Sequence, residues 1–431
     1  MARILSLMTA SRSIFSPVVT HLSNGIAVIC DVVPSVESCA VGVWISAGTR
    51  DERRNEAGVA HFVEHTSFRA TANRTTQRIA REFENVGAYA NAYTTKEETC
   101  YYVRTLSKHL PNVFRTLADV VLNPMFKDRD VEKERTIIAE EIKSYEDEPE
   151  ELIFDIGEQQ QFGKHVLGVP IVGSLESVSK ISADDVRDFH RKHYHAGAIT
   201  ICVSGNVDPE AFTALVVELF GGIQRNSSRY KRTTPPSVEP STMTIHRSTQ
   251  QAHALWHVRT QGHQAPDRWA LQILNVILGD GMTSRLNVRL RESKGLAYSV
   301  YSQLQLFADC GVFAIYLGVE ERKLNKAQDM VARELRSLSD VGVTKAELAR
   351  AKEQLRASKI MSLESLTQRM TMLGKGMLED GEPEDPYKVL SFIDAVRLEE
   401  LNRVAAAICN PDLWSTCIIM PTNADADAVH L

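Results

Sequence analysis

Gly87-Ala88-Tyr89-Ala90-Asn91-Ala92-Tyr93 is matched 208 residues later by Gly295-Leu296-Ala297-Tyr298-Ser299-Val300-Tyr301. Carried backwards, the same offset sets Trp269 opposite His61, Gln272 opposite Glu64 and Ile273 opposite His65. Further on, Ala139-Glu140-Glu141-Ile142 aligns with Lys352-Glu353-Gln354-Leu355. The chain therefore reads as an internal duplication whose second copy lacks metal-binding side chains at the matching positions.

The surrounding pattern gives the fold class. Val18 to Val33 reads strand–turn–strand about Asn24-Gly25, a hairpin signal. Ser38 to Ser46 alternates like a strand, Asn55 to Val86 is helical, Ala88 to Val103 returns to strand, and helices run from Lys108 to Glu146. Ile199 to Gly205 is a buried strand ending in a turn. Strands mixed with helix pairs, without βαβ alternation, predict α+β domains. The expected organisation is a first domain over 1–221, a polar, proline-bearing linker over 222–244 and a homologous domain over 245–431. Each would be an antiparallel-rich sheet packed with helices, and the two would enclose a chamber.

Composition narrows the class. At 431 residues the chain has room for two or three domains. A hydrophobic fraction of 43% and a charged fraction of 24% are ordinary for a globular protein. A net charge of −6 gives no reason to expect nucleic acid as a partner. The seven cysteines form no CxxC pair and sit in apolar runs, as small buried hydrophobes of a reducing compartment. No apolar stretch reaches the length of a membrane span. The first 20 residues carry Arg3, Arg12 and several serines without an acid, a transit-like composition. They lead at once into a strand, and the expected location is cytoplasmic.

His61-Phe62-Val63-Glu64-His65 carries the chemistry. Histidines at i and i+4 project from one helix face and can share one metal ion, while Glu64 points off their axis. That placement suits a general base acting on a metal-bound water, in the inverted His-x-x-Glu-His order. Zinc needs a further protein ligand. Asp130 to Ile142 is a helix candidate on which Glu134 and Glu141 share a face. One can bind the metal while the other orients its ligands, although spacing alone does not separate Glu141 from Glu140. His190, His193 and His195 lie at a helix end beside Arg191 and Lys192, and read as a solvated terminus. Gly279-Asp280-Gly281 is too short for a dinucleotide fingerprint. A two-histidine, one-carboxylate set also serves non-haem iron oxygenases, which have no clear use for a spare glutamate.

In order and spacing, the histidine motif, Asn91-Ala92-Tyr93-Thr94 and the Glu134–Glu141 interval resemble the insulinase/pitrilysin family. The resemblance is strongest to its bacterial branch similar to mitochondrial processing peptidase. It runs from about Val18 to about Pro421 and includes Gly281 to Leu286 and Arg291 to Tyr301. It implies one Zn2+ per chain held by His61, His65 and Glu141, with Glu64 as base and Glu134 behind the ligands. It also implies that Asn91, Ala92 and Tyr93 lie on an edge strand taking up a peptide by strand addition. Arg291 and Tyr298 match the pair by which the second domain steadies the substrate carbonyl and its oxyanion. The helix bearing Glu141 is read as running on through the acidic stretch Glu146 to Asp155, where Glu151 and Asp155, at i and i+4, resemble the acidic pair by which processing peptidases hold an arginine.

Two departures from the family pattern stand out. Thr66 replaces a larger apolar residue, so the pocket nearest the metal is expected to change, and no proline follows Tyr194 shortly after. The function expected is a zinc endopeptidase acting on unfolded or presequence-like peptides, with a homodimer favoured over a heterodimer with a related subunit. The alternative is a catalytically silent partner subunit, a role that has no need of both residue sets.

Overall fold

The computed structural model describes residues 15–225 and 232–422. The first half runs β1 (Val18–His21), β2 (Ala27–Val32), β3 (Ser38–Ile45), α1 (Val59–Ser67), α2 (Thr76–Glu84), β4 (Tyr89–Thr94), β5 (Thr99–Leu106) and α3 (Leu110–Leu122). It continues through α4 (Asp128–Glu146), α5 (Pro149–Phe162), α6 (Leu175–Lys180), α7 (Ala183–His193), β6 (Ile199–Gly205) and α8 (Pro209–Phe220). The second half runs β7 (Thr242–Arg247), β8 (Ala252–Gln261), α9 (Arg268–Leu278), β9 (Ala297–Leu306), β10 (Cys310–Val319) and α10 (Leu324–Asp340). It closes with α11 (Lys345–Ser362), α12 (Leu366–Asp380), α13 (Pro386–Ala395), α14 (Leu398–Ile408) and β11 (Ser415–Pro421).

The duplication is explicit in the sheets. Their strand orders are β1-β2-β6-β3-β5-β4 and β7-β11-β8-β10-β9. Without β1 the two orders coincide, and the single parallel pair falls at the same place, β2 with β6 and β7 with β11. The aligned stretches Gly87–Tyr93 and Gly295–Tyr301 lead into the edge strands β4 and β9. Mixed sheets packed with helices make this an α+β fold in two related halves, as expected.

The halves cover each other. α5 leaves the first half and packs on β8 and β11, while α12 leaves the second and packs on β3 and β6. Each covers the sheet face that the other half leaves bare, giving two shared cores, one around Ile153, Phe162, Leu255 and Ile419, the other around Trp44, Cys202, Met370 and Leu373. This overturns the alternation anticipated for 38–46, because Cys39 to Ile45 are buried on both faces. Burial of each large apolar side chain contributes about 1.5–3 kcal/mol. Gly374 permits the close approach of α12, since a Cβ there would lie 2.7 Å from the Trp44 ring.

Buried polar joints fix the seam. Arg369 donates Nε and Nη2 to the two oxygens of Asp31 at 2.6 and 2.7 Å, and Ser204 Oγ donates to Asp31 Oδ2 at 2.6 Å. His257 on β8 sits between Gln160 and Gln161 of α5, 3.0 Å from each side-chain oxygen. Arg50 joins Glu97 at 2.6 Å to Asp309 at 2.8 Å.

The anticipated linker is less free than its composition implied. β7 takes up its last residues from Thr242, Arg232 pairs with Asp51 at 2.7 Å, and Arg259 donates to the carbonyls of Pro235 and Pro236. Residues 226–231 and the transit-like residues 1–14 lie outside the described residues. The helix expected to run from Glu141 through Asp155 is two helices, α4 ending at Glu146 and α5 starting at Pro149. Proline at a first helical position is compatible with a new start but not with continuation. All seven cysteines are buried and unpaired. Among the described residues no helix is long and apolar enough to cross a membrane.

Candidate metal centre and its cavity

α1 begins at Gly58, whose φ of +95° turns the chain where a Cβ would meet the Val172 carbonyl at 2.9 Å. Glycine offers no capping side chain, and Glu52 fills that role from outside the helix. Its two oxygens accept the N–H groups of Gly58 at 3.0 Å and Ala60 at 2.8 Å, satisfying donors that the start of the helix leaves without an intrahelical partner. Burial nevertheless pushes the Glu52 carboxyl up to about 8.

The next turns of α1 present His61 and His65 with ring centroids 4.4 Å apart. Their Nε2 atoms lie 3.8 and 3.6 Å from Glu141 Oε2, which α4 brings in from the facing helix. Ligand atoms of the three residues all fall within 4.8 Å of one another, and they form the one such cluster among the described residues. Tetrahedral donors bound to zinc at about 2.0–2.1 Å stand about 3.4 Å apart, so this donor set fits a zinc ion with small adjustments. His65 Nδ1 faces Glu134 Oε2 at 3.1 Å, and Arg69 holds the other Glu134 oxygen, which turns the His65 Nε2 lone pair toward the cluster.

The electrostatics agree with that arrangement. Burial, reinforced by His65 alongside, lowers His61 to about 3, leaving a neutral imidazole. Burial acts to lower His65 too, but Glu134, Glu64 and Glu141 carry it above its ordinary value. Burial would raise Glu134, yet the bonds from His65 and Arg69 bring it below the usual carboxylate range. Glu64 stands outside the ligand cluster and is raised by burial, an effect opposed by the Thr94 hydroxyl, which donates to its Oε2 at 2.6 Å.

These groups open into a cavity of about 420 Å³. One wall is β4, contributing Ala92, Tyr93 and Thr94, while Asn91 lies just outside it on the exposed part of the strand. β4 is paired on one side only, with β5. Another wall is α5, which contributes Glu151 and Asp155 along with Phe154 and Glu158. Lys96 engages Glu158 at 2.8 Å and donates to the Val169 carbonyl at 2.6 Å. Burial, with Glu158 nearby, raises Asp155 to about 6.

The structure corrects the readings of Thr66 and of the histidines near residue 190, and it gives Arg291 and Tyr298 a place away from this cavity. The cavity wall comes entirely from residues 61–172, so Arg291 and Tyr298 are not part of it within one chain. Tyr298 is exposed on β9 and donates to Glu320 at 3.2 Å. Thr66 does not line the cavity; it is buried, its hydroxyl donating to the Phe62 carbonyl at 2.5 Å. The histidines near residue 190 are not solvated, since His193 is buried and His190 Nε2 meets the Val121 carbonyl at 2.8 Å. Sequence spacing gives no sign of Arg69 and Lys96, whose partners are distant in sequence, nor of Glu52, which reaches Gly58 and Ala60 only through the fold of the intervening loop. Thr94 belongs to the Asn91-Ala92-Tyr93-Thr94 motif, but nothing local in the sequence ties it to Glu64.

The second half repeats the cavity without the chemistry. Trp269 and Gln272 of α9, Leu304 and Leu306 of β9 and Leu355 of α11 line a space of about 490 Å³. Trp269 stacks on Phe392 and Ile273 is fully buried.

Comparison with known proteins finds two family models in succession, the second of them starting within the first half, before α7. The family model described as Insulinase (Peptidase family M16) matches residues 27–174, and that described as Peptidase M16 inactive domain matches 180–355. An uncharacterized zinc protease of Mycobacterium tuberculosis is 38% identical over 390 residues, covering 90% of this chain and 89% of its own length. The uncharacterized zinc protease YmxG of Bacillus subtilis is 33% identical, with 93% and 97% covered. Among solved structures, a protease from Helicobacter pylori superposes with a TM-score of 0.86 at 22% identity, covering 94% of this chain and all of that one. A peptidase M16 inactive domain from Pseudomonas fluorescens gives 0.85 at 22%, with 95% and 98% covered. With both halves matched and relatives of this identity spanning nearly the whole chain, the protein belongs to the insulinase family, peptidase family M16.

Proposed function

We propose that the chain is a zinc-dependent endopeptidase acting on unfolded peptides. The observation that carries this reading is the convergence of His61, His65 and Glu141 beside a separate carboxylate, Glu64, in a cavity walled by an open strand edge. Bound there, zinc would supply the Lewis acidity that makes water a nucleophile and polarises an amide carbonyl. The protein's own groups account for the rest. β4 would hold the substrate extended by adding it as a strand. Glu64 would take the proton of the attacking water and return it to the leaving amine, and its burial raises its basicity for that task.

Glu151 and Asp155 would favour a basic side chain near the cleavage point, a processing-peptidase-like preference. Arg291 and Tyr298 would act on the oxyanion from a second copy in a homodimer, since their own chain does not bring them to the cavity. Seven unpaired cysteines fit a cytoplasmic location.

The decisive variant is Glu64→Gln, expected to keep zinc by metal analysis and to lose about 10²–10⁴-fold in turnover of a mixed peptide library. Substantial activity with metal bound would refute the base assignment. Mixing Glu64→Gln with Tyr298→Phe chains tests the dimer, because complementation should regenerate one intact site. No recovery in the mixed dimer would remove the role of the partner copy. A protein with zinc but no turnover of any peptide would instead be a silent partner subunit.

A further inference from the structure

We infer that Thr94 is a positioning residue that aims the Glu64 carboxylate, and that β4 thereby couples peptide binding to the orientation of the base. The inference rests on the reading of Glu64 as the base. Among the described residues the Thr94 hydroxyl is the one hydrogen-bond partner of that carboxylate, donating to Oε2 at 2.6 Å. One oxygen is thus clamped and Oε1 is left to meet water. A carboxylate on a glutamate side chain has three rotatable bonds, so a single short bond at its end decides which oxygen faces the reacting atoms.

The clamp is itself anchored. Thr94 closes β4 and pairs with Thr99 of β5, whose hydroxyl donates to the Ala47 carbonyl at 2.9 Å. Its neighbours Ala92 and Tyr93 form the wall along which a peptide would lie. A peptide that straightens or shifts β4 therefore moves the donor that orients Glu64. The bond persists through proton transfer, because a donor on Oε2 directs the incoming proton to Oε1. A hydroxyl at this position could also be present only to satisfy a buried polar atom, and the two roles predict different kinetics.

The test compares Thr94→Val, which keeps shape and strand propensity, with Thr94→Ser, which keeps the hydroxyl, in the full zinc-loaded chain. A fluorogenic peptide library provides the substrate, and crystal structures report the Glu64 rotamer. Thr94→Val should retain zinc and lower kcat about 10–100-fold, as misplacement by about 1 Å does, with KM changed less than about threefold. Its Glu64 carboxylate should rotate from the wild-type position, and Thr94→Ser should restore both orientation and kcat. If Thr94→Val folds poorly, Thr94→Ala carries the same comparison. Wild-type kcat in the valine variant, an unmoved Glu64, or no rescue by serine would overturn the inference. An inactive Glu64→Gln alongside an unimpaired Thr94→Val would sink the positioning role alone, whereas an active Glu64→Gln would sink the assignment of the base.

Discussion

The two halves share strand order, the placement of the parallel pair and a reciprocal helix cover, yet among the described residues only the first gathers a candidate metal-binding cluster. At matching places on α1 and α9 stand His61 and Trp269, Glu64 and Gln272, His65 and Ile273. The first set converges on a cavity with carboxylates from α4, and the second packs, Trp269 on Phe392 and Ile273 into the core. The scaffold is therefore indifferent to the chemistry, which resides in a few side chains grafted onto one copy. What the second copy retains is its structural duty. Without α12 the outer faces of β3 and β6 would be bare.

The largest contrast should come from truncating equivalent residues. His65→Ala should lose zinc and peptidase activity to background. Ile273→Ala should leave the zinc stoichiometry unchanged but lose about 2–5 kcal/mol of stability through its cavity. Metal analysis and denaturant unfolding of both variants check this. Loss of zinc in Ile273→Ala would break the division between a chemical and a structural half.

The seam comes next. Arg369→Met leaves Asp31 buried without its partner and should cost about 3–5 kcal/mol. Pairing it with Asp31→Leu should recover much of that loss, because the apolar pair carries no stranded charge. Denaturant unfolding of the three variants measures it, and additive losses in the double variant would mean that the two residues act independently.

Acid should loosen the other joint. Burial lowers His257 to about 4, so between about 6.5 and 4 the unfolded chain binds a proton that the folded one refuses. Stability from this residue is complete above about pH 6.5 and falls as pH drops, by on the order of 2–3 kcal/mol at pH 4.5. Comparing pH 7 and pH 4.5 unfolding for wild type and His257→Leu isolates it from the other buried histidines. Equal pH dependence in both would remove the effect.

Much of this was legible beforehand. The duplicated stretches predict two related α+β halves, and the histidine motif with Glu134 and Glu141 anticipates the residues that converge. Reciprocal cover was not legible, because β3 can be read as one-faced until a helix more than 300 residues away supplies the second face. Nor could spacing decide where Arg291 and Tyr298 sit, since edge-strand residues match equally well whether they serve their own cavity or another copy's. Glu52, Arg69 and Lys96 owe their roles to contacts closed by folding. The break between α4 and α5 was legible in Pro149, and the acidic run across it obscured the signal.

The smallest effect expected is on substrate choice, and it separates the two cavities by charge. The first holds Glu151 and Asp155 on one wall, with Lys96 paired to Glu158 at 2.8 Å and acting on Asp155 only through its charge. In the second, the lysines Lys359 and Lys375 line the space as well and pair with Glu384 and Glu98. A peptide with arginine near the scissile bond should therefore be cleaved about tenfold faster than its glutamate counterpart, a difference of about 1.4 kcal/mol. The Glu151→Gln, Asp155→Asn double variant should erase that ratio. Because burial raises Asp155 to about 6, the preference should strengthen as pH rises through 6, where its carboxyl ionises, and shrink below it. Measuring kcat/KM for the matched peptides at pH 5 and pH 7.5 decides the matter. Equal rates at both values would leave Asp155 a structural acid and make the enzyme a general degrader of unfolded peptides.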